Sequence, residues 1–292
     1  MTSTTDKMAS LRSTLETMNR VLVAFSGGVD STFLLHTAVE TLGDSVLAVT
    51  AASPTLSRAD REDAPRIARK LGVRHLTVDA DDISDPMFTA NPPDRCYWCK
   101  RRRYRQLLDL ARREGISYVL DGENAEDHRD YRPGIRARQE LGIRSPLSES
   151  GLTKSEIRRL SSEAGLETHG KPSSACLASR IPYGERITAE KLERVDAAEE
   201  VMRGLGFSGR LRVRSHGNLA RLEVEPSDLE RAATDPLRGR IHRRLNALGF
   251  QYVALDLEGY TTGSLNRDLD ADRLPDGRNE ESTVLPSGEE TP

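Results

Sequence analysis

Two groups of residues in this chain have the types and spacing that chemistry requires. The first is the run Ser26-Gly27-Gly28-Val29-Asp30-Ser31, which follows the apolar stretch Val21 to Phe25 and precedes a helical pattern from Ser31 to about Leu42. Two glycines remove Cβ atoms, so backbone N–H groups can close on an anion. A helix N-terminus behind them adds unpaired donors and a favourable dipole. Ser26 and Ser31 add hydroxyl donors, and Asp30 can hold Mg²⁺ between its carboxylate and phosphate oxygens. The plainer alternative is a tight strand-to-helix turn. The string is neither a Walker A loop nor a Gly-x-Gly-x-x-Gly fingerprint.

The second group is the three cysteines. Cys96 and Cys99 form a Cys-x-x-Cys pair at the end of a Pro-rich loop, a spacing that turns two sulfurs toward one metal site. Cys176 lies in Lys171-Pro172-Ser173-Ser174-Ala175-Cys176, which reads as a loop. Zinc would use the three thiols plus His128 or His169, closing a tetrahedron. An iron–sulfur cluster with one open iron would need only the three. Residue types leave both open, and Cys176 alone also suits a small buried hydrophobe.

The elements that must position these groups alternate. Expected strands are Val21 to Phe25, Val46 to Thr50, Val73 to Val78 and Tyr118 to Leu120. Expected helices run from Ser31 to Leu42, Arg58 to Leu71 and Arg101 to Arg113. That rhythm predicts a doubly wound parallel α/β sheet. Long loops are expected at 79–94 and 122–144, leaving strand C-termini where open α/β sheets bind ligands. Thr153 and Glu156 form a capping box before another helix. Beyond about residue 186 the pattern becomes αββαβ, a smaller α+β domain. The expected organisation is a phosphate-loop domain over 1–185, the small domain over 186–266 and a disordered polar tail over 267–292.

Composition narrows the function classes. With 43 basic and 46 acidic residues, the net charge of −3 gives no global field for nucleic acid. The run Lys100-Arg101-Arg102-Arg103 is a candidate contact site, though such a run is usually a solvated helix face. No apolar run has signal-peptide or membrane-span length, and an odd number of cysteines argues against a disulfide framework. A cytoplasmic protein with free thiols is expected.

Ser-Gly-Gly-Val-Asp-Ser resembles the PP-loop of the ATP pyrophosphatases, which cleave ATP to AMP and pyrophosphate. A wider set of segments resembles the LarE family: 121–127 (Asp-Gly-Glu-Asn-Ala-Glu-Asp), Asp130 to Gly134, Arg144 to Leu147, Lys171 to Gly184, and Arg212 to Glu225. The resemblance spans roughly residues 10 to 266. It implies an ATP-dependent sulfur transferase with an adenine nucleotide alpha hydrolase-like fold. Its substrate would be pyridinium-3,5-biscarboxylic acid mononucleotide, whose carboxylates become the thiocarboxylates of the nickel-pincer cofactor of lactate racemase. ATP would sit on Ser26, Gly27, Gly28, Asp30 and Ser31 with Mg²⁺. In sacrificial relatives the cysteine matching Cys176 gives up its own sulfur. With Cys96, Cys99 and Cys176 all present, the resemblance favours a [4Fe–4S] cluster whose open iron carries sulfide, over Zn²⁺ or no cluster.

Further candidate site residues follow. Arg212 and Arg214 stand two apart on an expected strand and share a face, where guanidinium forks suit phosphate. From spacing alone a solvated strand face is the commoner outcome, and the resemblance reverses that order. Arg180, four residues past Cys176, is a candidate for holding the thiolate or contacting substrate. Trp98 is a candidate for stacking on a pyridinium ring, and Glu223 for metal or substrate. A sulfide donor and self-association are expected, a membrane or nucleic-acid partner is not. Rival readings are a PP-loop tRNA-thiolating enzyme, a non-catalytic nucleotide sensor and an amidotransferase-type ligase.

Overall fold

The computed structural model describes residues 3–127, 133–172, 175–261 and 263–265. The expected disordered tail, His128 and the 130–132 stretch lie outside the described residues. The chain opens with α1 (Thr4–Met18), capped by a Ser3/Asp6 capping box. There follow β1 (Val21–Ala24), α2 (Val29–Leu42), β2 (Val46–Ala52), α3 (Arg58–Lys70), β3 (Arg74–Asp79), α4 (Pro86–Thr89), α5 (Arg95–Arg113) and β4 (Tyr118–Leu120). Three helices come next, α6 (Gly134–Glu140), α7 (Pro146–Glu149) and α8 (Lys154–Glu163). The C-terminal unit comprises α9 (Ala189–Gly204), β5 (Arg212–His216), β6 (Leu219–Glu223), α10 (Leu229–Ala233), α11 (Leu237–Ala247) and β7 (Tyr252–Leu255).

The first four strands form a parallel sheet in the order β3-β2-β1-β4, with Val21 level with Val46 on one side and Tyr118 on the other. Alternate residues face opposite layers. Val21, Val23, Val46 and Ala48 pack with α1, α2, α3 and α8, whereas Leu22, Leu47 and Val49 pack with α5. Burial on both faces is why these strands read as continuous apolar runs. Strand order reverses between β1 and β4, so a crevice opens at their C-terminal ends, where Ser26 and Asp121 emerge.

The second sheet has the order β5-β6-β7, antiparallel then parallel. Its core is continuous with Phe88 of α4 and with Leu177, Ala178 and Ile181 beside Cys176. The small unit therefore packs against the cysteine segment.

Two expectations require correction. The stretches 79–94 and 122–144 are not simple loops, because they contain α4 and α6. Helix α5 begins at Arg95 rather than Arg101, so Cys96 and Cys99 lie in its first turns. The prolines at 92 and 93 end before the helix and do not keep the cysteines out of it.

Candidate active site

The anion loop is built by close backbone approach. Gly27 has φ +70°, and a Cβ there would lie 3.3 Å from the Ala64 Cα of α3. Gly28 is the N-cap of α2 and has no side-chain capping bond, which leaves that helix end open. Ser26 and Ser31 hydroxyls lie 3.1 Å apart, and Ser31 Oγ donates to the Gly28 carbonyl at 3.2 Å. From β4, Gly122 closes the other side, where a Cβ would stand 2.9 Å from the Ser31 nitrogen. Asp30 pairs with Lys154 at 2.5 Å through Oδ2, while its buried Oδ1 has no hydrogen-bond partner. Burial pushes the Asp30 carboxyl up, against the pull of Lys154. An orphaned carboxylate oxygen beside an open helix end fits a site for Mg²⁺ and phosphate.

The thiols gather where α5 meets the Cys176 turn. Cys96 and Cys99 are three residues apart on one helix face. Cys99 packs against the buried cluster that includes Leu177, the residue after Cys176. Cys96 is accessible to solvent, yet the protein crowded around it pushes its thiol up. Cys99, half-buried against the second core, is pushed up further by burial, opposed by Arg103. Cys176 is exposed at the start of a short turn. Among the described residues no three His, Cys, Asp or Glu side chains converge tightly enough for a single ion. His169, an expected zinc ligand, engages the Leu166 carbonyl through Nδ1 at 2.9 Å. A cluster places its thiolates on separate irons, so it does not require convergence on one point.

Arg180 is almost fully buried and makes a fork with Glu199 at 2.8 and 3.0 Å. Its Nη1 donates to the carbonyls of Ala175 and Cys176 at 2.7 and 3.2 Å. Burial opposes the charge on Glu199, but Arg180, helped by Arg212 and Arg203, holds its carboxyl below the usual range. Arg180 thus grips the backbone that carries Cys176. Arg214 forks onto Glu223 at 2.8 and 2.9 Å and donates to the Ser179 carbonyl at 2.6 Å. Arg212 lies over the Tyr260 ring at 5.2 Å, and burial together with Arg180 and Arg214 pulls its guanidinium down to about 10. Three guanidiniums are thus grouped beside Cys176 with two buried carboxylates.

Trp98 is placed elsewhere. It sits about 200° around α5 from Cys96, packs with the core on the sheet side, and donates its indole N–H to Asp94 at 3.2 Å. Residues whose roles the spacing did not reveal include Lys154, which pairs with Asp30. Lys171 is another, lying between Asp60 and Asp63 at 2.8 and 3.0 Å and 3.4 Å from the Gly27 carbonyl. Each partner is distant in sequence and only the fold brings it near.

Comparison with known proteins bears on this geometry. The family model for NAD synthase matches residues 4–100, which include the anion loop. A pyridinium-3,5-bisthiocarboxylic acid mononucleotide synthase from Lactiplantibacillus plantarum is 39% identical over 92% of this chain and 97% of its own length. The chain belongs to the LarE family. It is an ATP-dependent sulfur transferase of the PP-loop superfamily. An uncharacterized Synechocystis protein, slr1717, is 45% identical over 90% of this chain and 98% of its own length. A tRNA-specific 2-thiouridylase MnmA from Parvibaculum lavamentivorans is 31% identical, over only 59% of this chain and 52% of its own length. Among the described residues no helix is long and apolar enough to cross a membrane.

Proposed function

We propose that this LarE enzyme adenylates the carboxylates of pyridinium-3,5-biscarboxylic acid mononucleotide and converts them to thiocarboxylates in the cytoplasm. The product would serve the nickel-pincer cofactor of lactate racemase. The observation that carries the sulfur-delivery part is that Cys96 and Cys99 lie in the first turns of α5, where Cys99 packs against the buried cluster that includes Leu177, the residue after Cys176.

ATP phosphates rest on the amides of residues 26–31, and Asp30 offers its free Oδ1 to Mg²⁺ while Lys154 holds Oδ2. The substrate carboxylate attacks the α-phosphorus, pyrophosphate departs, and an acyl-adenylate results. Activation is required because a free carboxylate has no usable leaving group. Cys96, Cys99 and Cys176 would hold a [4Fe–4S] cluster, which when bound supplies sulfide on its open iron as the sulfur source. Arg180 fixes the Cys176 backbone, and the guanidiniums of Arg212 and Arg214 bias the adjoining surface toward the substrate phosphate. A sulfide donor would restore the enzyme between turnovers, and self-association through the small unit belongs to the same proposal.

The test is iron and acid-labile sulfide content, with a visible spectrum, on protein purified without oxygen. Near-stoichiometric iron and sulfide, lost in Cys96→Ala, Cys99→Ala and Cys176→Ala, is the expected result. Colourless protein that resists reconstitution would overturn the cluster. The exposed Cys176 would then be the donor: its thiolate displaces AMP, its α-proton is lost, and the Cβ–S bond breaks to leave dehydroalanine.

A further inference from the structure

Four separate chain segments meet beside the thiols through buried polar contacts. Asp82, in the turn after β3, is 1% exposed. It accepts hydrogen bonds from Ser53 Oγ at 2.5 Å, from the Arg103 guanidinium, and from Cys99 Sγ at 3.8 Å. Arg103 lies on α5 one turn beyond Cys99, and its Nη2 also donates to Thr55 Oγ1 at 2.6 Å. Thr55 follows β2, and its carbonyl accepts the amide of Leu177, the residue after Cys176, at 2.8 Å. The chain of contacts runs Cys99, Asp82, Arg103, Thr55, Leu177, Cys176, without a gap.

We propose that Arg103, acting with Asp82 and Thr55, is a strut that fixes the separation of Cys99 from Cys176 and so presets the thiol geometry for metal loading. A planar fork suits this task because one guanidinium reaches a carboxylate on one segment and a hydroxyl on another. A lysine keeps the charge but cannot hold both partners in one plane. Asp82 in turn needs the cation, since a buried carboxylate beside a thiol would otherwise stand unpaired. Arg103 is a positioning residue, because it acts on the site through its neighbours. The proposal rests on the reading that the three thiols form one site, and its test works without metal.

The metal-free full chain carrying Cys96→Ser has only Cys99 and Cys176 as thiols. It is treated with dibromobimane, which becomes strongly fluorescent on joining two thiols, and separately with a monofunctional bimane as reference. The readout is the cross-linking rate divided by the single-thiol alkylation rate, with the thermal midpoint measured alongside. Arg103→Lys in that background should lower the ratio about fivefold or more, as expected when reacting groups lose a fixed geometry. Thr55→Val, which keeps the shape and the carbonyl under Leu177, should lower it less and decides the matter if Arg103→Lys fails to fold. A ratio within about twofold of the parent in the folded variants would overturn the strut. So would a parent that does not cross-link. With all three cysteines restored, Arg103→Lys should load less iron than the unmodified chain. An unmodified chain that takes up no iron would instead overturn the cluster reading and leave the cross-linking comparison standing.

Discussion

Replacing Arg180 with methionine keeps most of the apolar stem and removes the guanidinium. Arg180 and Glu199 are 2% and 1% exposed and are joined by two hydrogen bonds. The change leaves Glu199 with Arg203 at 3.3 Å on its outer side and the Val213 amide at 3.2 Å. Breaking a buried pair by removing one partner costs about 3–5 kcal/mol. With a urea slope of about 3 kcal/mol per molar for a chain this size, the midpoint should fall by about 1–1.7 M. The carbonyls of Ala175 and Cys176 lose the Arg180 donor at the same time, the latter keeping the Ser179 amide at 2.9 Å, so alkylation of Cys176 should quicken in the folded protein. Glu199→Gln should be at least as damaging, because Arg180, Arg212 and Arg214 would then face one another with Glu223 as the remaining buried carboxylate. The double change should cost less than the sum of its parts. Urea unfolding followed by circular dichroism, with Cys176 labelling by mass spectrometry, measures both effects. A midpoint within about 0.3 M of the parent, corresponding to about 1 kcal/mol, with unchanged labelling would refute this account of the pair.

Gly122→Ala should weaken ATP binding about tenfold or more while the protein still folds, because the added methyl meets the Ser31 backbone and displaces the start of α2; nucleotide titration calorimetry reads this. Burial works against the charge on Glu156, but Lys7, the Thr153 amide and Thr4 hold its carboxyl down at about 2, from 4.5. Its stabilising contribution is therefore present above the unfolded value and lost as pH falls from about 4.5 through about 2, so Glu156→Gln should flatten the acid limb of stability over that window. Thr153→Ala, which removes the reciprocal cap of α8, should cost about 1 kcal/mol in the same denaturation assay.

The anion loop was readable from sequence because its chemistry is local: the strand, the two glycines and the helix start are contiguous. The capping box at Thr153 was readable for the same reason, as was the shared face of Arg212 and Arg214 on β5, whereas their burial goes against the solvated face that spacing alone favours. What these arginines do was not. Glu223, the partner of Arg214, and Glu199, the partner of the neighbouring Arg180, lie 9 and 19 residues away, and spacing on one element cannot reveal a partner on another. The Lys154 to Asp30 pair spans 124 residues and was hidden for that reason. Helix α1 is mostly polar apart from the buried Leu11, Leu15 and Met18, so apolar periodicity reveals it only weakly, although the Ser3/Asp6 capping box marks its start. Helix α5 starts six residues before the expected Arg101, and its first turns bury Arg95 and Tyr97 against the protein.

The most direct test of the central claim is mass spectrometry of the reaction of anaerobically purified protein with ATP, Mg²⁺, sulfide and pyridinium-3,5-biscarboxylic acid mononucleotide. The account predicts replacement of carboxylate oxygen by sulfur in the mononucleotide, one AMP released per sulfur installed, and more than one turnover per chain. ATP left intact, or AMP formed with no sulfur in the mononucleotide, would contradict it.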